Sequence, residues 1–246
     1  MTLSIVILSN LNHEAKGRDS GHWKETGKND RQSSILSPGQ SNASPKRLIV
    51  IDPGHGTRNS RLGVKKEAYY NLILAQRIKR VLEKSDVKVI LTHSFLGQDL
   101  GAKNPDEDNK LRARIANANK ATLFLRIHFD SARNNAAIYY PRLHPDKEIA
   151  EKSKKAAYFI WKYLERNLPK ETRKGGVLED GKTEIGKKNE GLLVGSKFSR
   201  VPVVCVEVLP LDSHMRNWIK RRKHLETIAL AITQGILDYL KTLGYR

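Results

Sequence analysis

Residues 48 to 57 read LIVIDPGHGT, and this short stretch decides how the rest of the chain is read. Residues 48 to 51 are all aliphatic and mostly β-branched, the composition of a buried strand, and Pro53, Gly54 and Gly56 forbid its continuation. His55 therefore stands just past a strand end, on a backbone that only glycine neighbours let bend so sharply. A Gly-His-Gly setting contributes little to packing and presents a side chain well.

Outward from this strand, helix and strand patterns alternate. A helix is expected over 66–84, a strand over 87–92, a helix over 109–119 and a strand over 122–127. Residues 137–140 read as a further short strand and 148–168 as a strongly amphipathic helix. The Gly- and Lys-rich stretch 170–188 reads as loop, 201–208 as a last apolar strand and 223–242 as a long closing helix. Such alternation predicts an α/β fold of three αβα layers around a mixed, mostly parallel sheet. Residues 12–45, rich in Ser, Asn, Gly, Lys and Asp without periodicity, predict a disordered tail over 1–45 ahead of one domain over 46–246.

Composition bounds the function. Apolar residues make up 39% of the 246, enough for a core, and no stretch approaches the roughly 18 to 20 apolar residues of a bilayer span. The N-terminal LSIVIL is shorter than the ~7 to 15 residue core of an export signal and has no basic residue before it. A single cysteine, Cys205, excludes an internal disulfide framework and a cysteine-based zinc cluster. Of the formal charge of +19, residues 1–46 carry six Lys and Arg against four acids, so +17 belongs to the domain. That charge suits an acidic polymer, an anionic lipid or nucleic acid, and equally the solvated faces of helices.

Ligands of open α/β sheets gather beyond the carboxyl ends of the strands, and four reactive residues fall there. They are His55, Glu67 early in the first helix, His128 closing TLFLRIH, and Glu207 near the end of VPVVCVE. Glu67 shares a helical stripe with Asn71, Leu74 and Ile78, which turns apolar and must face the sheet; an inward carboxylate is costly unless paired or bound to a cation. A first-turn glutamate complementing the helix N-terminus is the other reading. For His128 the alternative is a hydrogen-bonded edge histidine, and for Glu207 a buried ion pair. In its apolar run Glu207 is expected to have a raised pKa, suited to a general base. Two His and one Glu are a known catalytic zinc set, with a second Glu to take a proton from water. HExxH, GxGxxG and GxSxG patterns are missing, which argues against metalloprotease, dinucleotide and α/β-hydrolase readings.

The order IDPGHG, KEAYYNLILAQRIKRVLE, VKVILTH, LRARIANANKATLFLRIHFDSA and VPVVCVE closely resembles the zinc-dependent N-acetylmuramoyl-L-alanine amidases of bacterial cell separation and phage lysins, over about four-fifths of the chain. The resemblance implies one Zn2+ held by His55, Glu67 and His128, Glu207 as catalytic residue, and hydrolysis of the amide joining N-acetylmuramic acid to L-alanine in peptidoglycan. It implies a periplasmic or extracellular location, a monomer with peptidoglycan as partner, and no nucleic acid; an activator protein stays open. The interval from Phe129 to Val206, 78 residues, leaves room for little or no autoinhibitory helical insert. This chain departs from the family's pattern at Thr57 (usually Gly), His93 (usually Arg), Phe129 and Asp130 (usually x-Asn), and Val208, Leu209 and Pro210 (usually Gly-Phe). A wall- or nucleic-acid-binding module on an inactive scaffold, or a zinc amidase or peptidase with another amide substrate, are the competing readings.

Overall fold

The computed structural model describes residues 47–60, 65–129, 135–211 and 213–245, so the tail expected over 1–45 lies outside them. Among the described residues six strands, β1 (Leu48–Pro53), β2 (Lys88–Leu91), β3 (Leu123–His128), β4 (Ala137–Tyr140), β5 (Gly176–Glu179) and β6 (Val203–Glu207), form one sheet in the order β2-β1-β3-β6-β4-β5. β1, β2, β3 and β6 are mutually parallel, β4 is antiparallel to β6, and β5 is parallel to β4. The mixed, mostly parallel sheet is the expected one. The helices are α1 (Lys65–Glu83), α2 (Pro105–Ala118), α3 (Lys147–Leu164), α4 (Glu184–Lys188), α5 (Val194–Lys197), α6 (Ser213–Ile219) and α7 (Arg222–Lys241). α1, α3 and α7 pack on one face, α2 and α5 on the other.

Covering both faces explains why β1 reads as a continuous apolar run. Ile49 and Ile51 enter the main core beside Leu74, Ile78, Leu125, Ile160 and Ile236, while Val50 enters the smaller one beside Ala113, Ala116 and Phe124. The α3–α7 crossing requires a glycine, because a Cβ at Gly235 would lie 2.5 Å from Ile160 Cα and 2.7 Å from the Phe159 carbonyl oxygen.

Several boundaries differ from the expected ones for identifiable reasons. α2 begins at Pro105 rather than 109, since the Asn104 side chain accepts from the Glu107 N–H at 2.9 Å and Asp106, Glu107 and Asp108 fill the acidic first turn. α3 stops at Leu164, followed by a 3₁₀ turn over Glu165–Asn167. The stretch expected as loop carries the edge strand β5 and the short α4. β6 begins only after Pro202, which has no N–H and gives the sheet its carbonyl, to the Phe124 N–H at 2.8 Å.

A polar layer between the sheet and α2 supports the carboxyl end of β1. Asp52 is fully buried; its Oδ1 accepts from Thr92 Oγ1 and Arg112 Nη1, both at 2.7 Å, and its Oδ2 from Arg126 Nε at 3.0 Å. Burial alone would raise the Asp52 carboxyl, but Arg112, Arg126 and the Thr92 hydrogen bond hold it well below the usual carboxylate range. His93, 1% exposed, faces the same layer. Burial, helped by Arg112, pushes its imidazole down to about 4 against the pull of Asp52 and Asp108.

Two outcomes follow from this packing. Below pH ~6.5 unfolded His93 binds a proton that the folded protein refuses until about pH 4, so stability falls across that window by up to about 3 kcal/mol. His93→Gln is expected to flatten the fall of urea-unfolding free energy over that range in metal-free protein, leaving the shares due to His128, which burial also lowers, and, toward pH 4, to the depressed carboxyls of Glu67 and Asp52; an unchanged slope contradicts the assignment. Gly235→Ala is expected to cost about 1–3 kcal/mol in the same measurement, and a wild-type midpoint would show that the helices can part freely.

Candidate metal centre

The turn that follows β1 is fixed atom by atom. The Gly54 N–H donates to the Ile127 carbonyl at 2.8 Å, extending the ladder one residue past the strand. A Cβ at Gly54 would lie 2.3 Å from the His128 ring, so glycine here lets the terminal side chain of β3 close against the turn. His55 has φ +60° and Gly56 φ +78°. A left-handed histidine costs on the order of 1–2 kcal/mol, and its neighbours have to hold it.

They do so through the carbonyls. Pro53 and His55 accept from Arg112 Nη1 and Nη2, both at 2.9 Å; Gly54 accepts from Asn71 Nδ2 at 2.7 Å. Gly56 accepts from the Gly97 N–H at 2.6 Å, and Thr57 from Ser60 Oγ at 2.8 Å. Consecutive carbonyls from 53 to 57 are thereby tied to α2, α1, the loop after β2 and the turn itself.

Against this turn lie the other donors. Glu67, in the first turn of α1, places Oε1 3.0 Å from His128 Nδ1 and 3.4 Å from His55 Nε2. The two rings stand edge to face, centroids 5.0 Å apart at 83°. Burial works to raise the Glu67 carboxyl, and the hydrogen bonds from His128 and His55 overcome it, leaving it well below the usual range. Burial pushes the His128 imidazole down, opposed by Glu67. A low-pKa carboxylate and a neutral imidazole are the protonation states that metal ligands need.

The donor atoms of His55, Glu67 and His128 lie within 4.8 Å of one another, and among the described residues no other group of three has this closeness. Ligands 2.0–2.2 Å from a tetrahedral ion stand about 3.3 Å apart, so the 3.0 and 3.4 Å separations suit one small divalent cation. Two imidazoles and one carboxylate are the donor set of catalytic rather than structural zinc sites. A first-turn glutamate serving only the helix N-terminus, or an edge histidine satisfied by backbone, does not describe this arrangement.

Glu207 closes β6, half-buried, in register with His128 on the neighbouring parallel strand. Registered positions on parallel strands project to the same face, and the Val208 N–H, donating to the His128 carbonyl at 2.9 Å, fixes the pair at the strand ends. All four expected residues thus occupy the carboxyl edge. The chain leaves β1 toward β2 on one side and β3 toward β4 on the other, so the histidines flank the point where strand order reverses.

The sequence reading missed Asp52, Arg112 and the part played by Thr57. The signal was there in α2: Asp108 and Arg112 stand at i and i+4 beside Ala113 and Ala116, an ion pair on an inward stripe of small residues. The departures from the family pattern fit around it. Thr57 donates to Asp108 Oδ1 and accepts from Arg112 Nη2, each at 2.9 Å. His93 packs under Gly56, where a Cβ would meet its Nε2 at 2.8 Å. Phe129 is buried beside the Tyr70 ring, Val208 and Leu209 join the main core, and Asp130 lies outside the described residues. Between His128 and Glu207 the one long helix among the described residues is α3, which packs on α7 and on β4 and β6.

Residues 49–238 match the family model described as N-acetylmuramoyl-L-alanine amidase. In fold the chain is similar to the N-acetylmuramoyl-L-alanine amidase AmiC2 of Nostoc punctiforme, 23% identical with a TM-score of 0.61, covering 79% of this chain and 97% of that one. It is similar also to the catalytic domain of the amidase CwlV from Bacillus (Paenibacillus) polymyxa var. colistinus, at 24%, 0.61, 79% and 98%. The CwlD amidase of Clostridioides difficile, solved in complex with the GerS lipoprotein, matches at 23%, 0.63, 80% and 100%. No curated protein matches the sequence. With the family model running from β1 into α7, across every strand of the sheet and all four residues at its carboxyl edge, the chain belongs to the N-acetylmuramoyl-L-alanine amidase family.

Proposed function

We propose that this chain cleaves the amide between N-acetylmuramic acid and L-alanine in peptidoglycan, with one Zn2+ held by His55, Glu67 and His128 and with Glu207 as the proton-transferring residue. The observation that carries the reading is the convergence of two imidazoles on one carboxylate oxygen, within 3.4 Å, beside the strand end that bears Glu207. Zinc, when bound, would supply a Lewis acid for the scissile carbonyl and acidify water. Glu207 would accept the proton of the attacking water on its carboxylate and return it to the departing amine of L-alanine. Burial keeps His128 neutral and so available as a ligand, while Asn71 steadies Glu67 from 3.5 Å as it grips the Gly54 carbonyl.

Residues 46–246 would form the catalytic domain, acting as a monomer. Acting on that polymer, which lies outside the cytoplasmic membrane, the enzyme would work in the periplasm or the extracellular space; among the described residues no helix is long and apolar enough to cross a membrane. The domain's charge favours an anionic wall. Since α3 belongs to the core and the other described helices of the 129–206 interval are short, the site would act on isolated wall without an activator displacing a helix.

Purified full-length protein is expected to carry near-equimolar zinc and to release stem peptides from isolated peptidoglycan with no added protein. Glu207→Gln is expected to keep the zinc and lose about 10²- to 10⁴-fold in rate, whereas Glu67→Gln loses zinc and activity together. Activity in zinc-free protein, or full activity in Glu207→Gln, contradicts the reading. Salt-dependent duplex binding without zinc uptake would favour a nucleic-acid-binding module instead.

A further inference from the structure

We infer that Arg112 is the positioning residue of the metal centre: from α2, on the opposite face of the sheet from Glu67, it holds the main chain of His55 in the conformation that brings its Nε2 to the other two ligands. The inference rests on the proposed metal centre and deepens it.

Arg112 is 2% exposed, and each of its five N–H groups has an acceptor. Nε donates to Asp108 Oδ2 at 2.7 Å and Nη1 to Asp52 Oδ1 at 2.7 Å. The remaining three donate at 2.9 Å to the Pro53 carbonyl, the His55 carbonyl and Thr57 Oγ1. Two anchors are therefore carboxylates and three belong to the turn that presents His55. Asp52 ties the guanidinium to β1 and, through Arg126, to β3, the strand that ends in His128. Asp108 ties it to α2 and, through the Thr57 hydroxyl, back to the turn. The planar fork thus spans both histidine-bearing strand ends in one rigid piece.

Holding both the Pro53 and His55 carbonyls fixes the peptide planes on either side of the Gly54–His55 step, where φ is +60° at His55. A residue kept left-handed against its own preference relaxes when its restraints go. Relaxation here would swing the imidazole away from Glu67 without touching the core of aliphatic side chains. Lysine, with three donors on one nitrogen, cannot serve five acceptors arranged around a plane.

The test compares wild type, Arg112→Lys and Thr57→Val, the last removing only the hydroxyl that links Arg112 Nη2 to Asp108. Zn2+ affinity is measured by competition with a chromophoric chelator, and metal-free urea unfolding is followed alongside. Arg112→Lys is expected to weaken Zn2+ binding by about 10- to 100-fold, and Thr57→Val by about the lower figure. Peptide release at saturating Zn2+ should recover in kcat more than at limiting metal. A merely structural Arg112 would lower the unfolding midpoint while folded molecules keep Zn2+ affinity within about twofold, and that result overturns the inference. Should Arg112→Lys fail to fold, the Thr57→Val affinity decides in the same way. Wild-type protein with no Zn2+ affinity would instead remove the metal centre itself.

Discussion

A guanidinium buried in a protein interior must find an acceptor for each of its five N–H groups, or leave donors stranded at a cost of about 1–3 kcal/mol apiece. In this chain that demand is met at Arg112, and the acceptors that meet it are the carboxyl end of β1, the first turns of α2 and the turn bearing His55. Asp52 is the counterpart constraint. A carboxylate with no exposure is tolerable only because Arg112, Arg126 and Thr92 surround it. Sheet, second-layer helix and reactive turn are consequently one electrostatic unit, and shifting any member would break several charge-assisted bonds at once.

That unit explains the division of labour between the two faces of the sheet. The face under α1, α3 and α7 carries the main aliphatic core and provides most of the apolar burial. The face under α2 has a smaller core, and much of what it buries is polar: Asp52, Arg112, Arg126, Asp108 and Thr57. Glu67 reaches the carboxyl edge from the first side and Arg112 grips the turn from the second. The three candidate ligands therefore come from three separate segments, and a turn with a left-handed His55 is kept in place by contacts that the ligands do not make themselves.

Much of this was legible in the sequence. The apolar run ending at Asp52 announced a doubly covered strand, and the alternation after it announced the layers. His55, Glu67, His128 and Glu207 were found because each is a reactive side chain where packing would prefer something else. Arg112 and Asp52 escaped because a charged residue in a helix or beside a proline reads as ordinary surface unless its partner is known, and their partners lie 60 residues apart. The edge strand β5 escaped for another reason. Its four residues, Gly-Val-Leu-Glu, are all only half-buried and show no alternation, so nothing local separates them from the Gly- and Lys-rich loop around them. The start of α2 stands in the sequence as Asn104-Pro105 and three acids, whereas the apolar stripe that marks a helix by periodicity begins later.

The proposed chemistry turns on one zinc ion held by His55, Glu67 and His128 at the carboxyl edge of the sheet. Anomalous diffraction from zinc-loaded crystals, recorded on both sides of the zinc absorption edge, tests it most directly. One strong peak bonded to His55 Nε2, His128 Nδ1 and Glu67 Oε1, with Glu207 beside it and not bonded to it, is the predicted result. A zinc peak held by other residues, or density at the edge with no anomalous signal in zinc-loaded crystals, would contradict the account.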